Sequence, residues 1–397
     1  MKNILVAALL AAAMLSISAC GGSDTTPGPK PEDPPVAPPV FEWPDPGYES
    51  SDYSADGRVE VLQLASEGRG VDVVFMGDGF SDRLVANGHY AEMMNRAVEA
   101  FFSEEPVRSF RRLFNVYAVT AVSRNEVVGG TAETALDCDF EDGTTVITGD
   151  DNACLAYAQC VPELCGDADR LNELVIVVVV NEIRWAGTCY PYGPWSILDG
   201  APLAGDYGRG FAVTYSAYAD FDDLTYTVVH EAVGHGFAKL ADEYYSPGES
   251  LSISDRLYYE NTQRFGYWRN VDFSGSADGC AWSFYLSDGR YDGTDVGYCA
   301  GGCYCESGVW RSSQQSLMLY TEGGFNAVSR ESIYRRIHSL AYGESWSFDA
   351  EEFAEWDSRC VGAAAPRRNI LRGREPLPQP RIVEPGRRRL EVRTGDC

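Results

Sequence analysis

His230-Glu231-Ala232-Val233-Gly234-His235 places two imidazoles around a carboxylate inside an apolar, helix-like stretch, the minimum equipment for hydrolysis at a zinc ion. In the usual zinc-peptidase pattern the histidines stand four residues apart on one helical face, with the glutamate beside the metal as base. Here they stand five apart. On an α-helix, residues four apart differ by roughly 40° around the axis and residues five apart by roughly 140°, so a regular helix aims these rings in different directions. A π-bulge, one residue looped out of the helix, removes the conflict, and such bulges occur mostly at functional sites. Gly234 lacks a Cβ and is the residue best suited to unusual backbone angles there. The bland alternative is an accident on an amphipathic helix. The chain has only four histidines, however, and two of them fall in this window with Glu directly after the first.

A catalytic zinc takes three protein ligands and leaves one position for water, so a third ligand is required. Downstream, Leu240-Ala241-Asp242-Glu243-Tyr244-Tyr245 offers two carboxylates where a helix can end and the chain return. Asp242 is the first choice and Glu243 the alternative; the carboxylate not used is expected to orient a histidine from behind. His338 lies in the apolar pattern of a separate helix, with Ile333, Tyr334, Ile337 and Leu340, and His89 opens an amphipathic helix. Both read as structural. Glu231 is the expected general base. Tyr244, Tyr245, Tyr320 and Arg311 are unranked candidates to stabilise an oxyanion.

Working outward, Val71 to Met76 reads as a buried strand that ends in a Gly77-Asp78-Gly79 turn. Tyr90, Met93, Met94, Ala97, Val98 and Phe101 recur at helical spacing. Residues 114–122 alternate like a strand, and 174–180 are so apolar that they predict a strand covered on both faces. A strand at 211–215 precedes the metal helix, whose start is expected near Asp222 or Asp223. Strand, helix and strand in this order predict an α/β (α+β) domain with a mixed sheet. The insert at 123–169 is too long for an ordinary loop and holds Cys138, Cys154, Cys160 and Cys165. It reads as a disulfide-stapled flap.

The two ends bound the setting. Lys2, the apolar run 4–15 and Ile17-Ser18-Ala19-Cys20 read as an export signal over residues 1–19. Cleavage before a cysteine resembles the bacterial lipoprotein signal, which implies lipidation of Cys20 and attachment to a membrane from outside the cytoplasm. Residues 20–50 are rich in Gly, Ser, Asp and Pro and read as a semi-rigid tether. Residues 51–360 are expected to form the folded, catalytic part, and 361–397, with nine arginines against four acids, a basic appendage able to fold back on the acidic domain. Fifty-nine acidic against 32 basic residues, a net charge of −27, exclude nucleic acid as an expected partner. In an oxidising compartment the cysteines, including a second group at Cys280, Cys299, Cys303 and Cys305, predict disulfides.

The His-Glu-x-x-Gly-His run and its Leu240 to Tyr244 extension, together with Met76-Gly77-Asp78-Gly79-Phe80 and Gly308-Val309-Trp310-Arg311 leading to Ser316-Leu317-Met318, resemble the IgA-peptidase family of zinc metalloendopeptidases, and in particular its exported Bacteroidetes members. The likeness spans about residues 58–345. It implies a metzincin-like fold with a disulfide-rich C-terminal lobe, in which Met318 forms the methionine turn beneath a zinc ion, and a protein or glycoprotein substrate. Immunoglobulin A is the substrate of one branch of the family only. The competing reading is a non-catalytic surface lipoprotein that binds glycan or host protein through its aromatic residues; an intact Glu231 speaks against it.

Overall fold

The computed structural model describes residues 43–294, 296–319, 323–361, 374–383 and 390–392. The export signal, Cys20, most of the tether, Tyr320 and much of the basic tail lie outside the described residues. Strands follow in the order β1 (Val59–Gln63), β2 (Val71–Asp78), β3 (Phe114–Val119), a short ribbon of β4 (Asp139–Phe140) and β5 (Ile147–Thr148), then β6 (Val175–Ile183), β7 (Ala186–Pro191) and β8 (Ala212–Tyr218). A second set comprises β9 (Tyr245–Ser250), β10 (Val271–Asp272), β11 (Cys299–Gly302) and β12 (Tyr304–Arg311).

The main sheet has six strands in the order β1-β3-β2-β6-β8-β7. Its four inner strands run parallel, and β1 and β7 close the edges antiparallel. The sequence patterns explain this arrangement, because strands covered on both faces need apolar side chains at every position. In β6 every residue from Val175 to Asn181 is buried. Val73, Phe75, Val175, Val177 and Val179 point into one core, and Val74, Met76, Ile176, Val178 and Val180 into the other. The first core is covered by helix His89–Phe101, by the metal helix and by helix Ala327–Tyr342, with Phe101 and Phe237 in edge contact at 6.4 Å between ring centres.

The other face is covered by the insert, and here the expected flap is corrected. Leu136, Ile147, Leu155, Val161 and Leu164 are completely buried against the sheet, so the insert is a packed layer. Its start is pinned by Asp78, a buried carboxylate that accepts hydrogen bonds from Ser123 Oγ (3.0 Å), Thr134 Oγ1 (2.8 Å), and the backbone N–H groups of Leu136 and Cys138 (both 3.0 Å). Asp78 also ends β2, so the turn begins two residues later than expected, at Gly79 with φ +76°.

Of the cysteines expected to form disulfides, Cys165 is disulfide-bonded, whereas among the described residues Cys138, Cys154, Cys189, Cys280, Cys303, Cys305 and Cys360 are free thiols. The C-terminal lobe is held by its four strands, in which β12 pairs with β9, β10 and β11, and by a small core of Tyr267, Trp268, Val271, Phe273 and Val309. Residues 45–50, assigned to the tether from composition, also join the domain: Asp45 N–H donates to Glu126 at 2.7 Å and Ser50 N–H to the Arg124 carbonyl at 2.8 Å.

Candidate metal centre

The metal helix leaves β8 through Asp220, whose carboxylate caps the Asp223 N–H at 2.8 Å, two residues before the expected start. Residues Phe221–Thr227 are α-helical, and from Val228 to Phe237 the backbone is π-helical. The single looped-out residue is therefore corrected to a ten-residue π segment. With bonds running i→i+5, residues five apart share a face, as residues four apart do in an α-helix. Gly234 has another task than the one expected of it. Its φ lies outside the left-handed region, and a Cβ there would sit 2.5 Å from Met318 Sδ. The glycine is required by the close approach of the Leu317–Met318 turn.

The two rings converge. His230 Nε2 and His235 Nε2 are 3.2 Å apart, and Asp242 Oδ1 lies 3.1 Å from the first and 3.3 Å from the second. Three ligand atoms about 2.0–2.1 Å from a tetrahedral ion stand about 3.3 Å from one another, so this triangle has the size a zinc ion requires. The tautomers suit it as well. His235 Nδ1 lies 2.8 Å from the Leu240 carbonyl, which places that ring's proton on Nδ1 and leaves Nε2 its lone pair. Both oxygens of Asp242 and both of Glu231 are buried without a hydrogen-bond partner, a costly arrangement that a cation and a polarised water relieve.

Electrostatics follow from burial. Desolvation pushes the Glu231 carboxyl up to about 8, opposed by His235 and aided by Asp242. It also lowers His230, against the pull of Asp242. In Asp242 burial is outweighed by the two histidines, and its carboxyl stays below the usual range. Burial holds the Tyr244 hydroxyl well above its ordinary value, so it remains a donor.

Of the two carboxylates weighed for the third position, the structure brings Asp242 to the histidines and turns Glu243 away. Glu243 accepts from Asn270 Nδ2 at 2.9 Å and from Asn326 Nδ2 at 2.9 and 3.1 Å, and its N–H donates to the Met318 carbonyl at 2.8 Å. It pins the turn beneath the site and reaches neither histidine, which corrects the expectation that the second carboxylate orients one. Tyr244 stacks on His230, with ring centres 6.4 Å apart and planes 16° apart. Tyr245 is 41% exposed and lies under the Arg311 guanidinium, which itself serves the Gly301 carbonyl at 3.0 Å. His338 packs among Phe110, Tyr334 and Trp346, and His89 against Phe80.

Three residues escaped the sequence reading. Tyr226, four residues before His230, donates to the Leu317 carbonyl at 3.0 Å and lies 3.3 Å from His230 Nδ1. Its spacing was available as a signal. Gly187 on edge strand β7 lies so close to Glu231 that a Cβ would meet Glu231 Cγ at 3.0 Å, and Tyr304 reaches the Tyr244 hydroxyl at 3.2 Å. Neither carries a local signal. An open cavity lined by Arg69, Asp72, Arg170, Glu173 and Arg209 lies elsewhere and includes none of the three metal-site residues.

No curated protein matches the chain. Residues 59–258, about half of the sequence, match the family described as IgA Peptidase M64. The matched stretch contains all of the main sheet, the π segment, Asp242 and Tyr244. The chain belongs to the IgA Peptidase M64 family.

Proposed function

We propose that this peptidase is a zinc-dependent endopeptidase with a metzincin-like centre, in which His230, His235 and Asp242 hold the ion and Glu231 is the general base. The observation that carries the reading is the triangle of two Nε2 atoms and one Oδ1 at 3.1–3.3 Å, with the unpartnered Glu231 carboxylate buried beside it. A zinc ion held there supplies Lewis acidity toward a peptide carbonyl and makes water a stronger acid. Glu231 accepts the proton of the attacking water and delivers it to the departing amine. Tyr244, beside His230, donates toward the oxygen that gains charge. Met318 and the Leu317 carbonyl form the floor, fixing the π segment and the His230 ring. The substrates we propose are extracellular proteins or glycoproteins, reached from a lipid anchor at Cys20 on the bacterial membrane.

The test uses the full chain, with metal measured by mass spectrometry and hydrolysis by release from a denatured protein substrate. About one zinc per chain is expected, and a chelator abolishes hydrolysis that added zinc restores. Glu231→Gln keeps the metal and loses at least about 10²-fold in rate, whereas Asp242→Ala loses the metal. Bound zinc with equal hydrolysis by wild type and Glu231→Gln sinks the assignment of the base. Zinc with hydrolysis by neither protein favours the binding-module reading.

A further inference from the structure

The described part of the C-terminal tail packs against the elements that carry the ligand triangle. Residues 374–383 read Arg-Glu-Pro-Leu-Pro-Gln-Pro-Arg-Ile-Val. Arg374 pairs with Asp223 at the start of the metal helix, at 2.8 Å, and Trp185 Nε1 donates to the Glu375 carbonyl at 2.9 Å. Leu377 is completely buried in the helix-side core, and its carbonyl accepts from the hydroxyls of both Tyr244 and Tyr304. Farther on, the N–H groups of Arg381 and Val383 donate to the carbonyls of Cys189 and Pro191 on β7, at 2.8 and 3.0 Å. N–H groups two residues apart on carbonyls two residues apart, advancing in the same direction, run the segment parallel to β7 along its edge, in the manner of strand addition. With this segment in place His230, Glu231 and His235 are completely buried.

We propose that residues 374–383 are a built-in competitor, filling the groove that takes an extended polypeptide substrate and holding the peptidase closed. The proposal rests on the peptidase reading and deepens it. A substrate is then a chain segment that lies along β7 and places an aliphatic side chain where Leu377 sits. The composition explains why an internal occupant stays bound. Prolines 376, 378 and 380 alternate with Leu377 and Gln379, so the segment is preset in an extended form and loses little entropy when it docks. The three prolines themselves have no backbone N–H to donate, and the bonds to the β7 edge come from the N–H groups of Arg381 and Val383. The Leu377 carbonyl also takes up the Tyr244 hydroxyl that a substrate oxyanion needs. Being covalently attached, the segment competes at a high effective concentration.

The test separates docking from chemistry. In a full chain carrying Glu231→Gln, binding of a fluorescein-labelled peptide of the 374–383 sequence is followed by anisotropy, with and without Leu377→Asp, which puts a charge into an apolar pocket. At least a ten-fold gain in affinity is expected, and in the chain with Glu231 intact at least a ten-fold gain in hydrolysis of a fluorogenic peptide. Arg381→Pro removes the N–H that pairs with Cys189 without touching the core, and decides the matter if Leu377→Asp fails to fold. A gain in binding with no hydrolysis in any chain supports the competitor and overturns the peptidase reading. Equal binding in the parent and both variants overturns the competitor, whatever the hydrolysis.

Discussion

Gly234 shows how one residue ties the candidate centre to the rest of the fold. A Cβ there would sit 2.5 Å from Met318 Sδ, so the Leu317–Met318 turn and the π segment are fitted to each other. Gly234→Ala is expected to destabilise by about 1–3 kcal/mol through overpacking, and Met318→Ala by about 2–5 kcal/mol through a cavity. Combined, the two should cost less than their sum, because the cavity receives the methyl group. Chemical denaturation of the four proteins measures this, and additivity within about 0.5 kcal/mol would rule out the contact. The proposed ligand pair and base could be singled out in the sequence because all three lie within six residues. Choosing between Asp242 and Glu243 could not be completed at that level. Adjacent carboxylates differ only in where the chain turns them, and Glu243 is claimed by Asn270 and Asn326, which the fold brings from 27 and 83 residues away.

Among the elements, legibility followed burial. Strands β2, β6 and β8 are covered on both faces, so their runs of valine and its neighbours announced them, and the helix His89–Phe101 showed its apolar stripe. The edge strand β7, Ala-Gly-Thr-Cys-Tyr-Pro, has no such pattern, because its neighbour β8 and the segment 381–383 supply the order that its own sequence lacks. The π segment was legible only as a misfit of spacing, and its ten-residue length left no further mark in the sequence. β7 nevertheless lies close against Glu231, the proposed base. A methyl group at Gly187 would meet Thr227 Cγ2 at 2.8 Å and Glu231 Cγ at 3.0 Å. Gly187→Ala is therefore expected to displace the carboxylate while sparing the ligands, giving full metal content with hydrolysis reduced on the order of ten-fold or more. Unchanged kcat/KM with unchanged metal would show that the strand does not position Glu231.

For the whole molecule the dominant quantity is the net charge of −27, the excess of 59 acidic over 32 basic residues that remains however the ion pairs form. Self-repulsion of this size opposes compactness at low ionic strength and is screened within about 10 Å at 0.1 M salt, so neutral salt is expected to raise the melting temperature. Acid relieves the repulsion but removes specific carboxylate contacts, and Asp82 is where the loss can be followed. Its carboxylate accepts from Tyr48 Oη at 2.8 Å and from the N–H groups of Ser51 and Asp52 at 2.9 and 2.8 Å, binding the first described segment to the domain. Burial raises its pKa, but these hydrogen bonds outweigh it and hold the carboxyl down at about 2, against 3.8 ordinarily. A carboxyl depressed by folding contributes stability that is complete above its unfolded value and is lost as pH falls toward its folded one. Because Asp82 is near the surface, solvent screening limits the contribution to about 1 kcal/mol. Asp82→Asn is thus expected to be less stable than wild type at pH 6, with the difference shrinking between about pH 4 and pH 2. Thermal melts of the two proteins across that range provide the measurement, and a difference that stays constant through the window would mean that the carboxylate's charge contributes nothing to holding residues 48–52 in place.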